Sequence, residues 1–487
     1  MNEPIRFRLQ TLSPIHLGCD EVYEPMGFVV DEKANQLIAF NPLDFVKTLS
    51  VGDKQAFLEI CRKGTISSIL EVYLFMRRKR CNGKVMEVCP GFIENYRKTL
   101  SIPLHDSRRI QQELSTFAIA RTAFNPSDER PYIPGSAIKG ALRTAYLNSC
   151  AAAQQISTPG GKSPARDLEA KLLDAYTIET DPFRLLKVSD FRPVGEVRTG
   201  IFYAINQKKK PSKFEARGPH QILEVIESGS LFEGTISVAE PEDGAHIKKP
   251  LTLEAVIMSA RSFYSQEMAR ECEDLAGIGV NFSCSTKVDN GFILRLGRHS
   301  GAECVTIEGH RTIKIMQARG EPPRFEKHAT TLWLAADFPK PLSNTGLKPF
   351  GWGAVDILSP EMMVECNTKE QNYQLKQRAP ARKQFGAEDG SVEESMKSEA
   401  EKLPSGSSSL EKAAAREVWP EAILSWSPGN QILTASFGGK KAICKGKALV
   451  PEVFHERLFG KKKVVTAKVE VIPLGNSFNI IRVEADK

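Results

Sequence analysis

From Ile5 to Ser13 apolar Ile5, Phe7 and Leu9 alternate with polar Arg6, Arg8 and Gln10, the period-two pattern of a half-buried strand. Gly27–Val30 and Gln36–Phe40 read as two further strands joined across 31–35. Asn41-Pro42, a capping residue followed by proline in the first helical turn, opens a helix that runs through Leu49. Helical spacing returns over 54–62, 66–80 and the first part of 91–131. Strands are expected at Leu185–Phe191, Val194–Ala204, Ile222–Ile226 and Leu231–Val238, followed by a long helix over Leu251–Leu275. Gly291–Leu296, Val305–Ile307 and Thr331–Ala335 are further strands. Two strand–helix–strand sets with antiparallel hairpins predict an α+β fold rather than a doubly wound parallel sheet.

The pattern changes near the C-terminus. From about Glu365 to Ala415 the chain is rich in Gln, Glu, Lys, Ser and Gly, and Pro404-Ser-Gly-Ser-Ser-Ser reads as a flexible linker. Beyond it, Ala422–Trp426, Ile432–Phe437 and Lys441–Cys444 form short strand patterns, with Gly438-Gly439 as a hairpin turn. A short helix at Pro451–Phe459 and strands at Val464–Val471 and Phe478–Val483 complete the set. Three regions follow: 1–360, a linker over 361–415, and a basic β-rich domain over 416–487.

The 487 residues carry a net charge of +7, and its distribution is uneven. From Glu421 to Lys487 there are eleven Lys/Arg and six Asp/Glu, a net of +5, which leaves +2 for the rest. Any polyanion-binding surface before Glu421 is therefore local. No apolar run approaches the ~20 residues that span a bilayer. Met1 to Arg8 shows no export signal, and the ten cysteines contain no Cys-x-x-Cys pair. A cytoplasmic protein with idle thiols, no metal and no cofactor is expected.

One window gathers turn, helix start and paired cations: Tyr132-Ile-Pro-Gly-Ser-Ala-Ile-Lys-Gly-Ala-Leu-Arg-Thr-Ala-Tyr146. Pro134-Gly135 marks a turn and Ser136 stands as the N-cap. Ile138, Ala141, Leu142 and Ala145 form one apolar stripe, with Lys139 and Arg143 at i, i+4 beside it. Free amides around Gly135, Ser136 and Ala137, next to two cations, suit a phosphate. The alternative is a capped helix with solvated cations. Ser136-x-x-Lys139 also has the spacing of acyl-enzymes, but Ser-Asp-Asn and Lys-Thr-Gly are absent. Gly160-Gly161-Lys162-Ser163 lacks the first glycine of a phosphate-binding loop and follows a helix rather than a strand.

Two more glycine-plus-cation stretches follow. Leu294-Arg295-Leu-Gly-Arg298-His299-Ser-Gly301 precedes Arg311 and Lys314, and Gly346-Leu-Lys348-Pro-Phe-Gly-Trp352-Gly353 adds two aromatics. Backbone that permits close approach, cations and planar rings together suit single-stranded RNA. His16, His299 and His310, or the acidic loop of Asp20, Glu21 and Glu24, offer acid–base or metal chemistry instead.

These strings, with Ser13-Pro-Ile-His16-Leu-Gly18 and Val188-Ser-Asp190, resemble the RAMP superfamily of CRISPR proteins over residues 1–358, and within it the fifth Csm subunit of type III-A effector complexes. The resemblance implies ferredoxin-like, RRM-related folding with inserted helices. It implies a non-catalytic subunit that binds guide RNA near its 3′ end, caps the stack of Csm backbone subunits and supports guide maturation. Its partners would be guide RNA, target RNA and the other Csm subunits, with no membrane. The RNA contacts would come from His16, Gly135, Ser136, Ala137, Lys139, Arg143, Arg295, Arg298, His299, Arg311, Lys348 and Trp352. Two alternatives stand beside it: a ribonuclease using His16, Asp20 or His299, and a scaffold that recruits processing nucleases. Related subunits cut target RNA with an aspartate after the first strand, a pattern that Leu17-Gly-Cys-Asp20 does not match. Residues after Glu365 lie outside the resemblance.

Overall fold

In the computed structural model strand β1 (Ile5–Thr11) forms where the alternation placed it, with Phe7 and Leu9 fully buried. Residues 1–3, 161–162, 211–215, 217, 243–245, 284–287, 289, 318–319, 386–416, 428–431, 439, 446–449, 461–463, 475–476 and 485–487 are outside the described structure. The chain divides into two compact units, Met1–Gly390 and Ser391–Lys487.

In the first unit β1 is followed by helix α1 (Gly135–Gln154), β2 (Leu186–Val188), β3 (Leu231–Val238), helix α2 (Leu253–Gly277), β4 (Gly291–Arg295) and β5 (Trp352–Ile357). The sheet order is β4-β5-β1-β3-β2, and Arg192–Val194 also pairs with β3. Every contact along this path is antiparallel. With β4 as an added edge strand, the path β1-α1-β2-β3-α2-β5 has the 4-1-3-2 order of a ferredoxin-like sheet. The two crossover helices pack on each other. Ile138, Leu142 and Ala145 of α1 share one core with Val256, Ala260 and Tyr264 of α2, and with Phe7, Leu9, Phe232, Phe292 and Val355 of the sheet.

A second, nine-stranded sheet is built around Thr199–Lys208. That strand pairs antiparallel with Gln221–Ile226 and Thr331–Ala336, and parallel with Lys84–Val88. The hairpin Phe28–Asp31/Gln36–Ala39 extends it. Helices Pro42–Thr48, Val51–Lys63, Ile66–Met76, Pro90–Leu100 and Ser107–Ser115 are inserted between its strands, and Phe92, Ile110, Ile201, Tyr203 and Leu334 join their apolar faces to the sheet. The basic run at 77–80 ends the third of these helices, where Arg77 pairs with Glu32 and Lys79 with Asp53.

Three expected elements differ. Val194–Ala204 is split at Gly195, whose φ of +68° takes the backbone out of the strand region. In place of a strand at Val305–Ile307 there is a 3-10 turn, Glu303–Val305, which points Glu303 and Cys304 into the interior. The linker expected from 361 begins instead as helix α3 (Pro360–Phe385). Ser359 Oγ accepts from Met362 N at 3.2 Å and so caps its start. Met362, Met363 and Cys366 pack against Val194, Leu231 and Leu358, while Arg130 pairs with Glu370 at 3.0 Å. Polar composition concealed a helix that needs only one short apolar face. The remainder of the expected linker, and its Pro404 stretch, lie outside the described residues.

The second unit is a closed barrel of β6 (Glu417–Ser427), β7 (Ile432–Phe437), β8 (Lys440–Lys445), β9 (Val465–Leu474) and β10 (Ser477–Glu484), in the order β6-β7-β8-β10-β9. Strand β6 closes it by pairing with β9, and β8–β10 is its parallel contact. Short helical turns, Glu452–Phe454 and Glu456–Gly460, join β8 to β9. That order, with third and fifth strands parallel and a helical connection before the fourth, is the OB-type Greek key. Trp419, Leu424, Leu433, Val469 and Ile480 fill its interior.

Among the described residues eight cysteines are free thiols, and Cys272 is disulfide-bonded, which departs from the idle thiols expected throughout. No described helix is long and apolar enough to cross a membrane.

Candidate nucleic-acid interface

Helix α1 begins at Gly135, two residues earlier than a Ser136 cap requires, and no side chain of the preceding residue caps it. Its anion is already present. Asp190 Oδ1 accepts from Gly135 N at 2.8 Å, which places a carboxylate at the positive end of the helix dipole. The fit depends on glycine, because a Cβ at 135 would lie 2.5 Å from Val188 O and 2.6 Å from Ser189 O. The amide of Ala137 is spent on Pro134 O at 2.9 Å. Lys139 Nζ donates to Leu186 O at 2.8 Å, and burial holds its pKa below the usual lysine value. Arg143 bonds Glu169 at 3.0 Å and Asp181 at 2.8 Å, with its guanidinium over the Phe183 ring. The window expected to clamp a phosphate thus ties α1 to β2 and its neighbours; Ser136 alone of its candidate side chains is exposed.

The other glycine-bearing stretches converge. β1 ends, β4 ends and β5 begins at the same edge of the first sheet, so 13–18, 296–299 and 350–353 meet there. Arg298 N donates to His16 O (2.9 Å), Gly351 N to Pro14 O (2.9 Å) and Leu296 N to Gly351 O (2.8 Å). Gly297 (φ +80°) and Gly351 (φ +91°) allow the close approach: a Cβ would come within 2.2 Å of His16 O and 2.4 Å of Leu296 O respectively. Trp352 is fully buried, and its backbone N donates to Ser13 Oγ at 2.9 Å. Helix α1 joins the junction through Tyr264, which bonds Ala141 O at 3.1 Å and packs edge-on to Trp352.

Beneath the junction lies a buried ionic network. Arg295 donates to Phe350 O at 2.8 Å, pairs with Glu271 and lies over the Trp352 ring. Arg311 pairs with Glu267 at 2.6 Å and donates to Glu303 O at 3.2 Å. Lys209, next to the central strand of the second sheet, reaches Asp274 and Glu303, each at 2.9 Å. The side chains of Arg295 and Arg311 are 4% and 2% exposed, so these two expected RNA ligands are internal cations held by carboxylates of α2. Such a pair contributes little net stability over an apolar pair, but losing one partner costs about 3–5 kcal/mol. Glu267 and Glu271 had been legible only as helical residues. They continue the buried stripe Val256, Ala260, Tyr264 at three- and four-residue steps, and carboxylates on a core-facing stripe demand buried cations.

The histidines are also interior. His16 is fully buried, with Nδ1 against Glu224 O at 2.8 Å, and burial lowers its pKa. His299 adopts φ +70° and packs on Trp333 and Phe350, with ring centroids 4.5 and 5.4 Å away. Burial, then the charge of Arg298, lowers its pKa to about 4, so the ring is neutral at pH 7. Asp20 is exposed and has φ +60°. Among the described residues no group of three or more His, Cys, Asp or Glu side chains is placed to hold a metal ion. His310 Nδ1 lies 2.7 Å from Thr158 Oγ1, and Lys314 sits in the small ribbon of Ile313–Ile315 and Arg324–Glu326.

Of the expected contacts, Ser136, Arg298 and Lys348 are exposed. Lys348 pairs with Ala335, on the strand whose Trp333 carries the His299 ring, so it and Arg298 flank one loop junction.

A ferredoxin-like sheet with two crossover helices on one face and glycine-bearing loops gathered at one edge defines an α+β protein of the RRM-related class. Residues 8–267 match the model of the RAMP superfamily, and the chain belongs to that superfamily. Among solved structures it is similar to a chain of a cryo-EM structure of a Csm–crRNA–target RNA ternary complex in a type III-A CRISPR–Cas system. That match has 18% identity and a TM-score of 0.47, covering 72% of this chain and 100% of that one. It is also similar to the crystal structure of T. onnurineus Csm5, at 17% identity and a TM-score of 0.39, covering 71% of this chain and 99% of that one. No curated protein matches.

Proposed function

We propose that this chain is a non-catalytic RNA-binding subunit of a type III-A CRISPR effector ribonucleoprotein. It holds guide RNA near its 3′ end, caps the filament of Csm backbone subunits, and supports guide maturation in the cytoplasm, close to bound target RNA. The observation that carries this reading is the loop junction of a RAMP sheet at which Arg298 and Lys348 stay exposed while Arg295 and Arg311 are engaged internally. Ser136, exposed in the first turn of α1, is a further candidate contact. His16, Arg295, Arg311 and Trp352 act as the rigid base that positions the loops, and Lys139 and Arg143 brace α1. His16 is fully buried and the His299 ring is packed on Trp333 and Phe350, so the two do not form an accessible acid–base pair, which favours binding over RNA cleavage.

The test is photocrosslinking in the assembled complex, with 4-thiouridine placed near the guide 3′ end. Crosslinks are expected in 294–299 and 346–353, and complexes lacking the chain should carry guides with altered 3′ ends. Absence of any crosslink to this chain would remove the guide-binding claim. RNA cleavage by the purified chain that disappears in His16→Ala and His299→Ala would replace it with the ribonuclease reading.

A further inference from the structure

The C-terminal barrel carries an asymmetry that the first unit does not explain. From Ala422 to Pro451 there is no Asp or Glu, but there are four lysines, Lys440, Lys441, Lys445 and Lys447. This interval contains the second and third strands of the barrel, β7 and β8. On the barrel's strands and helical turns the carboxylates lie elsewhere: Glu417 and Glu421 on β6, Glu452 and Glu456 on the helical turns, Glu470 on β9 and Glu484 on β10.

Register fixes what the outer surface offers. Ile423 pairs with Thr466 on one side and Ser436 on the other, and Ser436 pairs with Lys441. The inward row beside it, Val465, Leu424, Ala435 and Ala442, is buried. The outward row Thr466–Ile423–Ser436–Lys441 therefore crosses four strands with two hydroxyls, one cation, one half-exposed isoleucine and no carboxylate. Thr434 pairs with Ser425 one step along, and Lys445 holds the register position opposite Ile432. Lys440, at the start of β8, is drawn to Glu417 at 2.7 Å.

We propose that the outer face of β7 and β8 binds single-stranded RNA, with Lys441 meeting a phosphate and the hydroxyl row meeting the sugar–phosphate backbone. The second and third strands are where OB-type barrels present their oligonucleotide face, and positive charge without carboxylates is what a phosphate strand selects. A duplex is too broad and rigid to lie along two short, twisted strands. No residue of the loop junction in the first unit is part of this site.

The experiment uses the full chain and a fluorescein-labelled oligouridine, with binding read by anisotropy across a salt series. Lys441→Glu should weaken binding and reduce the slope of log K against log salt by about 0.7, the value for one lost phosphate contact. Lys441→Gln should show a smaller change in the same direction, with an unaltered thermal melt. In a background of Arg298→Glu and Lys348→Glu, the barrel substitutions should still lower the slope. Junction substitutions that leave the slope unchanged would thus count against the proposed function and leave this site standing. An unchanged slope in both lysine variants, or equal preference for duplex RNA, overturns the proposal and leaves the face to a protein partner.

Discussion

His299 shows how one side chain records the purpose of its loop. Its neutral ring packs on Trp333 and Phe350 beside Arg298, with His16 nearby, and titrates at about 4. An unfolded histidine titrates near ~6.5. Below that value the unfolded chain takes up a proton that the folded chain refuses. The contribution is therefore fully present above about 6.5 and is lost as pH falls towards 4. After discounting for its partial exposure the loss is on the order of 1–2 kcal/mol. His299→Asn tolerates the left-handed backbone. Urea midpoints at pH 7 and pH 5 should differ more for the wild type than for this variant; equal differences would show that His299 is not the titrating group. At this scale the sequence was a poor guide to roles. Arg143, Arg295 and Arg311 look like Arg298 when written as letters, and differ only because Glu169, Asp181, Glu271 and Glu267 reach them in space.

Elements were more legible, and their ends less so. Period-two alternation placed β1 and the apolar stripe placed α1, because each pattern follows from burying one face; β3 and the barrel strands were also read as strands. The start of α1 depends on Asp190, far along the chain, which spacing within the window cannot reveal. Asp190→Ala should cost about 1 kcal/mol, as for loss of an N-cap. Gly135→Ala should cost more, since its Cβ would sit 2.5 Å from Val188 O. Chemical denaturation ranks the two, and the reverse order would mean that the backbone at β2 yields. The stripe of α2 makes a stronger claim. Arg295→Ala should destabilise by about 3–5 kcal/mol by leaving Glu271 buried without its cation, whereas Arg295→Met with Glu271→Leu should recover most of that loss. Additive losses in that double-mutant cycle would show the pair to be independent.

Across the whole chain, the division between a ferredoxin-like first unit and a basic β-rich second unit was visible in composition and charge. Helix α3 was hidden by its polar composition, and closure of the last five strands into an OB-type barrel needed the pairing of β6 with β9. Function is carried by what remains outside once internal pairing is complete. Salt-dependent binding of guide RNA tests that claim most directly. Arg298→Ala with Lys348→Ala should reduce the slope of log K against log salt by about 1.4, at about 0.7 per phosphate contact, with stability unchanged. Arg143→Ala should lower stability and leave the slope alone. A slope that falls with Arg143→Ala and not with the Arg298 and Lys348 pair would contradict the account.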